Sequence, residues 1–214
     1  ERLQSRLLYD WAEREYRYVV TITKPSPNDG LHLEAHFYLA DMLFDLQRES
    51  AAADVLADAV ALIDKNPDLL KPTKRLPEEI RSSLEYYRAV TYGRQGDTAR
   101  QIEHLERAYE IYPDNPDFLI SMHNISLRDE AWRQSVQQRL EEAQNGLHER
   151  IRKHDGEFRN PRGDIERLRA MDGLARALNE LAWLISNTTG DFTSAVQFSH
   201  RSLRLKPDYP AYLD

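Results

Sequence analysis

Apolar side chains recur at three- and four-residue intervals along nearly the whole chain, the spacing of one buried helix face. The first such run covers residues 1–23, with Leu3, Leu7, Leu8, Trp11, Tyr18, Val19 and Ile22 on its stripe. The turn cluster Lys24-Pro-Ser-Pro-Asn-Asp-Gly30 ends it. A second helix is expected from Leu31 to about Leu46 and a third, rich in Ala, Val and Leu, from Ala51 to Ile63. Between residues 66 and 77 the prolines Pro67, Pro72 and Pro77 forbid a continuous helix.

The stretch Ser82–Pro116 is the most regular part of the chain. Leu84, Tyr87, Ala89, Val90 and Tyr92 mark one amphipathic helix, and Ile102, Leu105, Ala108, Tyr109 and Ile111 mark a second. Between them Gly96 suits the residue just past a helix end, where φ turns positive, and Asp97 suits an N-cap. Pro113 stops the second helix. A hairpin of this size cannot bury both apolar faces alone, so it predicts neighbours of its own kind.

Beyond it, Phe118, Leu119, Met122 and Ile125 predict a helix to about Leu127. A much longer one, capped by Asp129, carries Trp132, Val136, Leu140, Ala143, Leu147 and Ile151 and should end near His154-Asp-Gly156. Residues 157–163 are expected as loop. Asp164 then caps a helix through Leu168, Met171, Leu174, Leu178, Leu181, Ala182 and Ile185. The turn Asn187–Asp191 leads to a last full helix, Phe192–Leu205, stopped by Pro207. Pro210-Ala-Tyr-Leu-Asp214 looks like the start of another. The sum is an all-α chain of about nine helices, and no segment has the alternation of a strand.

Composition agrees with this picture. Hydrophobic residues make up 41% and charged residues 30% of the 214, which suits narrow apolar stripes with wet outer faces. A net charge of −7 argues against a nucleic-acid surface, which needs clustered Lys and Arg. No apolar run approaches the roughly 18 residues of a membrane span. Cysteine is absent, which removes disulfides, thiolate metal sites and Cys nucleophiles. The chain opens on Glu1 inside a helical pattern and closes inside another, so a fragment of a longer protein is expected, with a soluble, cytoplasmic placement preferred.

Catalytic chemistry finds little support. His32 and His36 lie four apart around Glu34, a spacing that could hold a metal. In HLEAH, however, the acid is misplaced for the HExxH arrangement and no third ligand is evident, so helix packing is the expected role. Asp41 and Asp45 are also four apart, as acids on a wet helix face often are. Gly93-Arg-Gln-Gly96 is a helix terminus rather than a phosphate cradle. Asn124-Ile-Ser and Asn187-Thr-Thr match the glycosylation sequon by spacing alone. No cofactor and no catalytic residue is expected.

Laid over one another, the hairpins share positions. Ala89, Tyr92, Gly96, Leu105, Ala108 and Pro113 follow a small, large, turn, large, small, proline order. Leu181-Ala182, Ile185, Gly190, Ala195, Ser202 and Pro207 repeat it with one extra residue in the turn. Leu39-Ala40, Leu43, Ala52, Leu56 and Ala59 follow more loosely and lack the turn glycine, and Ala12, Tyr16, Val19 and Pro25 look like half a unit. This pattern resembles the tetratricopeptide repeat, whose period is about 34 residues, and is similar to units of large bacterial proteins of that kind. Ala40 and Ala89 are 49 residues apart and Ala89 and Ala182 are 93 apart, so the array is irregular. Gln101 also stands where the family usually has Ala, and His36 where it often has Trp.

The resemblance implies a right-handed α-solenoid in one domain. Its units are 1–30 (partial), 31–76 (with the Pro-rich insertion), 77–116, an irregular 117–163, and 164–210. It also implies a non-enzymatic role: first helices line a concave groove that takes a partner protein or peptide. Transferred by position, that groove contains Glu34, Phe37, Asp41, Phe44 and Asp45, then Ser83, Tyr86, Val90 and Arg94, then Arg176, Asn179, Trp183, Ser186 and Asn187. Acids at one end and aromatics along the floor suit an extended or helical segment with basic and apolar groups. The carboxylate clamp that some such domains use is not expected, because Phe37, Asp41, Tyr86 and Val90 stand at its positions. The alternative role is a structural spacer or self-association region, suggested by the two overlong helices.

Overall fold

The computed structural model describes residues 8–125 and 129–207. Among these, nine α-helices form and no β-strand does. They are α1 (Tyr9–Ile22), α2 (Leu31–Asp45), α3 (Glu49–Lys65), α4 (Pro77–Arg94), α5 (Thr98–Ile111), α6 (Pro116–His123), α7 (Glu130–Arg159), α8 (Asp164–Asn187) and α9 (Phe192–Leu205). The expected stripe residues Leu3 and Leu7, the residue Leu127, and the helix start at Pro210 lie outside the described residues.

Local chemistry explains most boundaries. Pro77 and Pro116 open α4 and α6 at a position where the missing N–H costs nothing. Asp97, Asp129 and Asp191 each accept a backbone N–H of the helix that follows, at 3.1, 2.9 and 3.1 Å. The Pro-rich insertion begins as a repeat of the α6 start. Asn66-Pro-Asp-Leu-Leu70 matches Asn115-Pro-Asp-Phe-Leu119, and in both the asparagine side chain accepts from the N–H two residues on. The second runs on as α6. The first makes one 3₁₀ turn, Pro67–Leu70, and Pro72 blocks its continuation.

Three hairpins, α2–α3, α4–α5 and α8–α9, close alike. A residue past the first helix takes positive φ: Gln47 at 59°, Gly96 at 76° and Gly190 at 70°. In the first two, the next residue's N–H returns five positions to a carbonyl, Arg48 to Leu43 at 2.9 Å and Asp97 to Tyr92 at 3.0 Å. In the third the glycine itself reaches Ile185, at 3.0 Å, and the turn is longer by one residue.

The chain divides into two compact units, residues 1–113 and 114–214. In the first, α1 packs on α2, α2 on α3, α3 on α4 and α4 on α5, around a core that includes Phe37, Leu43, Leu56 and Tyr87. In the second, α8 packs against α6, α7 and α9. Gly173 brings α7 and α8 close there: a Cβ on it would lie 2.7 Å from the His154 ring.

Some expectations need correction. α1 begins at Tyr9, and of its predicted stripe Leu8, Trp11, Tyr18 and Ile22 are exposed. The packed side is instead Tyr9, Ala12 and Tyr16, with Tyr16 stacked on Tyr38. α3 begins at Glu49 rather than Ala51, and α6 ends at His123 rather than about Leu127. α7 passes through Gly156 to Arg159, because Asp155 pairs with both Arg159 (2.8 Å) and Arg201 of α9 (2.5 Å). These pairs and His154–Glu157 support the turn that glycine weakens by about 1 kcal/mol. Asp164 is the first residue of α8 and not its cap. Glu166 takes up the Arg162 N–H there, at 2.6 Å.

Candidate functional site

The first-helix face of the 1–113 unit is built from α2 and α4. Positions 34, 37, 41, 44 and 45 lie on one side of α2 because three- and four-residue steps bring side chains to one face. Phe37 does not reach the surface: it is fully buried and belongs to the core. Asp41 is half-buried and committed. Its Oδ2 accepts from Arg75 Nη2 at 2.7 Å, and its Oδ1 accepts from the Tyr87 hydroxyl at 3.0 Å.

Arg75 comes from the Pro-rich insertion and lays its guanidinium over the Phe37 ring, 5.0 Å from the centroid. Burial works against its charge, but Asp41 and then Glu34 outweigh that and hold its pKa above the ordinary value. The Tyr87 hydroxyl is pushed well up by burial and by Asp41, so it donates and does not ionise. Phe44 stacks on Tyr87 at 4.2 Å and meets Tyr86 at 5.6 Å. Asp45 is exposed at the rim, its carboxyl raised by partial desolvation and by Asp41. Ser83, Tyr86 and Val90 are half-buried on α4. Arg94 is turned to another task, an ion pair at 2.7 Å with buried Glu49 in the first turn of α3.

In the 114–214 unit the corresponding face belongs to α8. Arg176 and Trp183 are exposed and Asn179 is half-buried. The Trp183 indole N–H donates to Asp117 of α6 at 2.8 Å, which fixes the ring while about half of it stays open to solvent. Asn187 and Ser186 bond back to the Trp183 carbonyl at 2.8 and 3.0 Å, closing the helix end. Between these residues Glu180 is largely sunk. Burial raises its pKa, while Arg150 and Arg176 work against that. Arg150 approaches Oε2 to 3.4 Å, within ion-pair range, but that oxygen accepts no hydrogen bond.

Several residues that matter here escaped the sequence pattern. Arg75 sits among prolines in a segment whose only evident role was to interrupt helices. Tyr87 looks like any stripe residue, and Asp117 and Glu180 look like ordinary helix acids. The flanking of Lys74-Arg75 by prolines, just after two leucines able to anchor the segment, was the one available signal.

His32 and His36 pack as a pair, rings 4.7 Å apart. His32 Nδ1 meets Thr23 Oγ1 at 3.0 Å, and His36 Nδ1 bonds to the His32 carbonyl at 2.8 Å. Burial, then His36, lowers the His32 pKa. Among the described residues no group of three or more His, Asp and Glu is placed to hold a metal. No helix among them is long and apolar enough to cross a membrane. No protein-family model matches the chain, and no curated protein matches it.

Proposed function

We propose that this chain is a tetratricopeptide-like array, a right-handed α-solenoid in kind, and that it serves as a non-enzymatic module binding a segment of another protein. One observation carries the reading: three hairpins each turn through a positive-φ residue just past the first helix and share one set of buried positions. Ala40, Ala89 and Ala182 lie buried on the first helices, and Ala59, Ala108 and Ser202 on the second. Small buried residues of this kind allow helices to approach closely, and on α8 the side that carries Arg176 and Trp183 stays accessible to a ligand. The Trp183 face is the better exposed of the two, with an amphipathic ring held in place on the same side of α8 as the exposed Arg176.

Trp183→Ala is expected to weaken partner binding at least tenfold with far-UV circular dichroism unchanged, and Asp45→Lys to weaken a basic partner. Asp41 is a poorer probe than Asp45, because reversing its charge also breaks the contacts with Arg75 and Tyr87. Binding indifferent to both substitutions would refute the assignment of these faces.

A second reading, self-association or a spacer role, rests on exposed apolar residues in the 114–214 unit. Ile165 and Leu168 on α8 and Phe192 and Val196 on α9 are each more than half exposed. Sedimentation at high concentration separates the two readings, since a clean monomer removes self-association.

A further inference from the structure

The contacts of Arg75 are those of a ligand in a cation site. A carboxylate receives its guanidinium at 2.7 Å, an aromatic ring lies beneath it at 5.0 Å, and a tyrosine hydroxyl holds the carboxylate's other oxygen at 3.0 Å. The residue is delivered by a stretch without regular backbone, 71–76, between the 3₁₀ turn and α4. Leu69, Leu70 and Thr73 are buried and anchor that stretch, while about a third of the Arg75 side chain stays accessible.

The charge balance around the seat is uneven. Asp41 and, more weakly, Glu34 act on this guanidinium, and Asp41 also acts on Asp45 at the rim. Two carboxylates therefore face one cation with a third beside Asp41, and a seat of this composition favours a cation whichever chain supplies it. Phe44 and Tyr86, at the edge of the seat, offer apolar surface to residues flanking an incoming arginine.

Resting on the interaction-module reading, we propose that the Arg75 seat is the arginine-recognition site for a partner segment, and that Arg75 occupies it as an internal pseudo-ligand. The expected partner chemistry follows from the occupant: an extended, basic, proline-flanked peptide such as Lys71-Pro-Thr-Lys-Arg-Leu-Pro77 itself. Binding in trans then competes with the tethered copy, so affinity is held down until the tether is displaced.

The test uses the full chain and a fluorescently labelled peptide of the sequence Lys-Pro-Thr-Lys-Arg-Leu-Pro. Arg75→Ala should bind it at least tenfold more tightly than the unaltered chain, and adding Asp41→Asn should abolish the gain. A peptide with norleucine for arginine should not bind. Because Arg75→Ala could lose stability, thermal unfolding is followed with methylguanidinium present. The cation should raise the midpoint of Arg75→Ala and leave that of Arg75→Ala with Asp41→Asn unmoved. Equal peptide affinity in the unaltered chain and Arg75→Ala, binding to neither, or no methylguanidinium response overturns the proposal. Partner binding that still depends on Trp183 in that event leaves the interaction-module reading standing, so the two failures are distinguishable.

Discussion

The first helices α2 and α8 belong to hairpins of one design, yet they present opposite situations to solvent. On α2 the acid at the centre of the face is already satisfied twice, by Arg75 and by Tyr87, and the aromatic Phe37 is sealed beneath them. On α8 the central aromatic, Trp183, stands half in solvent with one hydrogen bond to Asp117, and Arg176 is exposed. The difference arises outside the hairpins. A proline-interrupted helix start places Arg75 over α2, while the equivalent Asn-Pro-Asp sequence at 115–117 continues as α6 and offers Asp117 to Trp183 instead. A face shared by similarly turned hairpins is therefore an opportunity for binding, and the neighbouring loop decides whether it is open.

The strongest way to break this comparison is at Phe37. If it is core, Phe37→Ala should cost about 3–5 kcal/mol in denaturant unfolding, by lost transfer energy and a residual cavity. An exposed groove residue would cost far less and would instead lower binding. Trp183→Ala should destabilise by less than about 1.5 kcal/mol, since it removes one accessible hydrogen bond and a half-exposed ring.

The turns give a smaller and signed effect. Gln47 holds positive φ without being glycine, so Gln47→Gly should stabilise the 1–113 unit by up to about 1 kcal/mol. Gly190→Ala should destabilise the other unit by about 1–2 kcal/mol, because the same backbone region is disfavoured for a side chain. Equal effects of one sign would show that the turns are not equivalent.

Glu180 is the finest test. Its pKa is raised in the folded chain, so its ionisation lowers stability as pH rises through and above the ordinary carboxylate value of 4.5. Glu180→Gln should therefore unfold at a higher temperature than the unaltered chain at pH 7, with the gap closing as pH falls below about 4.5. A gap that widens in acid would mean that the Arg150 pair, not burial, governs this carboxyl.

Much of the fold was legible from local patterns. Gly96-Asp97 and Gly190-Asp191 announced their turns through φ and capping, and both behave accordingly. The buried spacing of α7, Val136, Leu140, Leu147 and Ile151, follows directly from its stripe. The misjudged boundaries are those where side chains from elsewhere outweigh local preference. Gly156 should end a helix on its own, but Arg201, far along the chain, pairs with Asp155 beside it. The α1 stripe failed because apolar periodicity shows that a face exists and not which of two candidate faces finds a partner.

The candidate site divides in the same way. That 34, 37, 41, 44 and 45 share a side of α2, and 176, 179, 183 and 187 a side of α8, follows from the helical repeat and needs no structure. Which of those residues reach solvent does not follow. Burial of Phe37, capture of Asp41 by Arg75 and Tyr87, and diversion of Arg94 to Glu49 join residues 34 to 46 positions apart. By itself the sequence determined the helices, their turns and the residues each face carries, because these rest on contacts within a few positions. Only the tertiary structure decided which face is filled and which is open, because a cation from a distant loop competes with solvent for the same carboxylate.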